Sequence, residues 1–326
     1  MKTNMTIRSL LFIFTASMLA ACSAFQPEEQ SLPALRVEYS PWWGDYTIVI
    51  AKANGLFEKY GVEVEAVYYD VYSDSFADMA AGQLDGGLYG LGEAMKVSAT
   101  TELKLVGIYD NGGFNTIIAK PDITSLADLR GKRIGVLLGT VYELFVVQAL
   151  ASAGIQRSDV QLVNVAPEDT ISQFPNNLDA AYSWEPVTSD AVAQGFKVLF
   201  TSDKIEEFAI PDGIFFRASV VQQRPEDIRA FIKAWYEAVD FRLTNPETSR
   251  QIIADYIGVS VDEVFPDHQL KIMTFTDNQG YFEIKEAGKP SIIMNTASTI
   301  ADFFLRTGIL SNSPDLNSFL DASYLK

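Results

Sequence analysis

Apolar and polar positions change period repeatedly along this chain, and the changes predict an alternation of short strands and helices. Val62 to Tyr68 alternates apolar and polar residues, as a half-buried strand does. Short runs at Leu35 to Tyr39, Leu84 to Leu88 and Leu103 to Tyr109 predict further strands. Helices are expected between them over Tyr46 to Ala53, Ser73 to Ala81 and Gly92 to Ala99, the first stopped by Asn54-Gly55 and the second by Gly82. At Asp110 to Gly113 the run Asp-Asn-Gly-Gly predicts a turn or hinge.

A second run of the same kind follows. Strands are predicted at Phe114 to Ala119, Arg133 to Leu137, Val160 to Val163, Ala180 to Ser183 and Lys197 to Phe200. The helices are Ser125 to Arg130, Val141 to Ala153 and Pro186 to Gln194. Ile-Pro-Asp-Gly at 210–213 marks another break, after which the chain reads as mostly helical. Pro225 suits a first helical turn, and Ile228, Phe231, Ile232, Trp235 and Val239 then fall on one face. Alternating strands and helices predict an α/β protein with mostly parallel sheets. Two breaks around a central unit predict two lobes joined by two crossing segments: 35–111 with 213–326, and 112–212.

The N-terminus has a different pattern. Lys2 and Arg8 precede an apolar stretch, Leu10 to Met18, that is too short to span a bilayer, and Leu-Ala-Ala-Cys ends at Cys22. This resembles a bacterial lipobox. It implies a signal peptide over 1–21, acylation of Cys22 with palmitate-type chains, and a short tether over 22–34. Cys22 is the sole cysteine of 326 residues, so no internal disulfide can form. With 25 basic and 42 acidic residues the net charge is −17, which argues against nucleic acid as a partner.

Several segments together resemble the type II periplasmic binding protein family, in its sulfonate, nitrate and thiamine-pyrimidine branch. They are Ile50 to Phe57 with Tyr60 to Val64, Ala81 to Gly86, Ser125 to Val136, and Leu178 to Pro186 with its Trp-Glu-Pro corner. The resemblance covers roughly residues 35 to 250. It implies a monomeric carrier whose two lobes close on a small molecule and present it to a membrane permease with an ATPase subunit. Such a carrier is exported and, here, held to the membrane by its lipid.

Ligands of open α/β sheets sit beyond the carboxyl ends of the strands. The segments there supply the candidate ligand contacts: Trp42, Trp43, Tyr46, Tyr69, Tyr89 and Glu93 from the first lobe, and Asn115, Thr140, Tyr142, Glu143, Trp184 and Glu185 from the second. Alternation puts Tyr68 toward the core and leaves Tyr69 and Tyr72 more exposed. Trp42 and Trp43 point in different directions, so one is expected in the cleft; both capping the core is the competing reading. Glu93 either accepts from a ligand N–H or complements its helix dipole. The glycines around Leu91 are read as letting a ligand approach free backbone N–H groups.

These segments are rich in rings and acids and contain no Arg or Lys. That favours a flat, nitrogen-containing ring stacked on Trp and Tyr, with riboflavin expected from the number of rings. An aliphatic sulfonate, nitrate or the thiamine pyrimidine precursor is the alternative. An enzyme is disfavoured. The branch's pyrimidine-synthase-like relatives depend on histidine and a cysteine cluster, whereas His268 stands alone in a polar tract, and no metal-ligand or nucleophile motif occurs. No catalytic residue, metal or cofactor is expected. A sensor or adhesion lipoprotein with the same lobes is a third possibility.

Overall fold

The computed structural model describes residues 32–326 apart from 112–114, 167–168, 175, 186, 206–209 and 265–269. Lys2, Arg8, Cys22, most of the expected tether, the start of the strand expected from Phe114 and His268 lie outside the described residues.

Among the described residues ten strands form two five-stranded sheets flanked by helices. The first has the order β2-β1-β3-β10-β4, with β1 Leu35–Tyr39, β2 Val64–Tyr68, β3 Gly86–Gly90, β4 Leu103–Asp110 and β10 Asp212–Arg217. The second has the order β7-β6-β8-β5-β9, with β5 Thr116–Ala119, β6 Arg133–Val136, β7 Gln161–Asn164, β8 Ala180–Ser183 and β9 Lys197–Thr201. In each sheet one strand runs against its neighbours: β10 is antiparallel to β3 and β4, and β5 to β8 and β9. These are the strands by which the chain enters each sheet from the other. Their amino ends therefore lie at the same edge as the carboxyl ends of the remaining strands.

The strand β10 was expected as a break. Pro211-Asp212-Gly213 reads as a turn, but Gly213 through Phe216 are buried between β3 and β4. A strand buried on both faces shows no alternation to read. β2, by contrast, is an edge strand with a mixed burial pattern, and there the alternation misleads: Tyr68 is 46% exposed, against the expectation of a core residue.

Six helices matter below: α1 Thr47–Ala53, α2 Leu91–Val97, α3 Val141–Ser152, α4 Pro225–Thr244, α5 Pro246–Ile257 and α6 Ile292–Thr307. The periodic face of α4 is buried as its sequence predicts, with Trp235 and Phe231 wholly inaccessible. Phe231 stacks on Phe57 with ring centroids 5.3 Å apart. Each such side chain contributes about 1.5–3 kcal/mol on burial, which ties the C-terminal helices to the first sheet. Gly92 in α2 admits Val141 of α3. A methyl group at Gly92 would meet Val141 Cγ1 at 2.4 Å and the Phe304 ring of α6 at 3.1 Å. The two helices that begin on opposite sides of the sheets' shared edge thus meet at a glycine. Among the described residues no helix is long and apolar enough to cross a membrane.

Candidate functional site

A cavity of about 760 Å³ opens where the carboxyl edges of the two sheets face each other. That is the size of small-molecule sites. The first sheet supplies Ser40 to Trp43 after β1, Asp70 to Ser73 after β2, Gly90 and Glu93 around the start of α2, and Tyr109 at the end of β4. The second supplies Asn115 before β5, Leu137 after β6, Tyr142 in α3, and Trp184, Glu185 and Val187 after β8.

The walls are aromatic. Trp42 and Trp184 face each other with ring centroids 6.4 Å apart, and Tyr142 meets Trp184 edge-on at 5.4 Å. Tyr142 in turn stacks on the buried Tyr182 at 4.6 Å, so its ring orientation is set from behind. Tyr182 also donates its hydroxyl to Asn115 Oδ1. Both Trp42 and Trp43 line the cavity, while Trp43 also packs against Tyr46 at 5.5 Å. The loop carrying them is held by Arg242 of α4, which is wholly buried. Arg242 donates to the Trp43 carbonyl at 3.0 Å and to Thr47 Oγ1 at 2.9 Å.

On the first-sheet side Asp212 and Glu93 line the cavity, and further acids, Asp45, Glu38 and Asp110, are buried outside its lining. Asp45 is fully buried and accepts from Ser40 N and Oγ, each at 2.8 Å, and from the Tyr109 hydroxyl at 2.5 Å. Burial pushes its carboxyl up to about 7, against the pull of those hydrogen bonds. Asp212 begins β10 opposite Gly90 and Asp110. Burial first, then the charges of Asp110, Asp45 and Glu93, pushes it well above the usual carboxylate range. Glu38, also fully buried, is raised by burial and by Asp45, although Leu88 N donates to it at 3.1 Å. Glu93 pairs with Lys96 at 3.2 Å. Among the described residues that line the cavity there is no Lys, Arg or His. Among the described residues no group of three or more His, Cys, Asp or Glu could hold a metal ion.

Of the twelve residues expected at a site, the cavity brings together Trp42, Trp43, Glu93, Asn115, Tyr142, Trp184 and Glu185. The other five are elsewhere. Tyr46 is buried against Tyr39 and Trp43. Tyr69 donates to Asp78 at 2.6 Å, outside the cavity lining. Tyr89 is buried among Tyr72, Phe76 and Phe215, because β3 continues to Gly90 and alternation turns Tyr89 away from its neighbours Leu88 and Gly90. Thr140 caps α3, accepting from Tyr142 N and donating to the Leu137 carbonyl. Glu143 takes Arg157 at 2.8 Å and the Gly139 amide at 2.9 Å.

The glycine-rich entry to α2 is also used internally. Leu91 N donates to the Pro211 carbonyl and Gly90 N to the Tyr72 hydroxyl. Tyr72, expected only to be exposed, lines the cavity, as do Tyr109 and Asp212, which were not singled out from the sequence. The signal for Asp212 lies in topology: an antiparallel strand places its first residue where a parallel strand places its last.

Two α/β halves that bring ring-bearing walls to one cavity have the architecture of the solute-binding proteins of the periplasmic type. A family model described as NMT1/THI5 like matches residues 45–249, and the chain belongs to that family. A Brucella abortus protein whose name assigns it only a binding role is 29% identical over 89% of this chain and 91% of its own length. A Bacillus subtilis protein named for binding aliphatic sulfonates is 24% identical over 86% of this chain and 83% of its own. The crystal structure of the periplasmic aliphatic sulphonate binding protein SsuA from Escherichia coli superposes with a TM-score of 0.73 at 21% identity. It covers 89% of this chain and 92% of that one.

Proposed function

We propose that this chain is the extracytoplasmic solute-binding component of an ABC importer. It binds a flat, nitrogen-containing ring compound between its two sheets and presents it to the permease. The observation that carries the ring reading is the Trp42–Trp184 pair across a cavity whose described lining holds no cation. Stacking on such rings is worth about 0.5–1.5 kcal/mol per aromatic pair beyond burial. Contacts with both sheets give the bound solute the differential affinity that drives closure of two lobes, 35–111 with 213–326 against 112–212, about the crossing strands. Lipidation at Cys22 would hold this monomeric carrier beside its permease.

A second reading, an aliphatic sulfonate, is favoured by the name of the Bacillus subtilis relative and of the superposed structure. The lining speaks against it. Three backbone donors before and at the start of α3 are engaged: Leu138 N by Asn164, Gly139 N by Glu143 and Tyr142 N by Thr140. Titration with a panel of flat nitrogen heterocycles, riboflavin included, and with ethanesulfonate and taurine separates the two readings. The ring reading expects at least one heterocycle to quench tryptophan fluorescence and raise the melting temperature, with the sulfonates silent. Saturation by a sulfonate and by none of the rings would overturn it.

A further inference from the structure

Resting on the reading of this cavity as a ring-binding solute site, we infer that its solute carries a positively charged nitrogen, seated against Asp212 and enclosed by the rings of Trp42, Tyr109 and Trp184.

Asp212 is a carboxyl with no polar partner among the described residues. The Asp212 side chain lines the cavity, and no hydrogen bond or ion pair reaches its carboxylate from a described residue. Its charged neighbours are Asp110 of β4, Asp45 after β1 and Glu93 of α2, all acids. Asp212 and Glu93 converge on Gly90: a methyl group there would meet Glu93 Oε2 at 2.5 Å and Asp212 Oδ1 at 3.3 Å. The cation of that region, Lys96, is already on Glu93. Asp70 and Glu185 add two further carboxylates to the lining. Withdrawing a carboxylate from water without a counter-charge is expensive, and removing that cost is what a cationic solute would gain.

The rings supply the second part of the case. A cation over the face of Trp or Tyr is attracted by the ring quadrupole, most strongly when desolvated. Tyr109 is buried beside the acids, and Trp42 and Trp184, with ring centroids 6.4 Å apart, lie in the same lining. A methyl group at Gly44 would meet Trp42 Nε1 at 2.8 Å and the Tyr109 ring at 2.9 Å, so the indole edge and the phenol converge there. The Trp42 Nε1 itself is buried and has no hydrogen-bond partner. Burial and the neighbouring acids push the Asp212 carboxyl up, and a bound cation would act in the opposite direction.

Calorimetric titration of the whole protein at pH 7.5 with 1-methylnicotinamide and with nicotinamide tests this, since the two rings differ by a fixed positive charge. Benzenesulfonate serves as the anionic ring. The expected result is binding of 1-methylnicotinamide at least about tenfold tighter than nicotinamide, with benzenesulfonate weakest. In Asp212→Asn the preference for the charged ring should fall to within about twofold. Equal affinity for the two nicotinamides would overturn the charge and leave the ring reading standing. A preference for benzenesulfonate, or binding of ethanesulfonate and of no ring, would overturn both. Binding of none of these compounds would also contradict the inference.

Discussion

Buried and half-buried carboxylates occur in both halves of the molecule, in opposite surroundings. Beside the second sheet, Asp179 takes the Arg133 amide and Lys120 Nζ, each at 3.0 Å, and the Arg133 guanidinium at 3.6 Å. Burial works against it, yet those donors hold its carboxyl below the ordinary value. Glu143 is closed off by Arg157. At the cleft edge of the first sheet, Glu38, Asp45 and Asp212 are all raised, and no Lys or Arg of the described residues pairs with them. The second set completes a scaffold. The first has no cationic partner among the described residues, and one of its members, Asp212, lines the cavity, where a cationic solute would meet it.

The largest effect on stability should come from the cation behind the cleft that binds carbonyls instead of acids. Arg242→Ala removes a buried donor from the Trp43 carbonyl and the Thr47 hydroxyl and leaves a cavity behind the loop, and should cost about 3 kcal/mol, read from the denaturant midpoint. Ligand affinity should fall with it, because the Trp42-Trp43 loop loses its support.

Next comes the pH dependence of the two acid sets, which should have opposite signs. Asp45 has an ordinary value of 3.8 and a folded value of about 7, so the native state binds its proton more tightly than the unfolded chain. Its contribution to stability is present below about pH 4 and is lost as pH rises to about 7, on the order of a few kcal/mol. Asp45→Asn should therefore gain on the wild type as pH rises through that window. Asp179 is depressed, so its contribution is present above about pH 4 and is lost at lower pH. Asp179→Asn should be the less stable protein at neutral pH, with the deficit shrinking in acid. Chemical denaturation of the three proteins between pH 3 and pH 8 checks both slopes.

Trp184→Ala should weaken solute binding by about 2 kcal/mol with little loss of stability, since the ring lies in the wall and not in the core. The smallest effect is expected at Glu143, whose carboxylate is spent on Arg157 and Gly139. Glu143→Gln should leave solute affinity within about twofold, because a partnered acid outside the lining offers a solute nothing. A large loss there would blur the contrast between the two acid sets.

Most strands were legible as short apolar runs punctuated by glycine, proline or polar residues, including strands buried on both faces. β8 lies at Ala180–Ser183, where its sequence places it, and the C-terminal helix α4 shows its periodic face. β10 was illegible because Pro211-Asp212-Gly213 carries a turn signal into a central strand. Tyr89 was misplaced for a related reason: the glycines at 86–90 hide where β3 ends, and a shift of that end moves a side chain to the other face. The aromatic wall could be anticipated from loop positions after strands. The group of acids could not, because Asp45, Asp110 and Asp212 come together only through the order β3-β10-β4 and the loop beneath it.

The most direct measurement is mass spectrometry of the solute released from native protein purified without refolding from its own host. The account predicts a nitrogen heterocycle bearing a positive charge. An alkanesulfonate, or any solute whose only charge is negative, would contradict it.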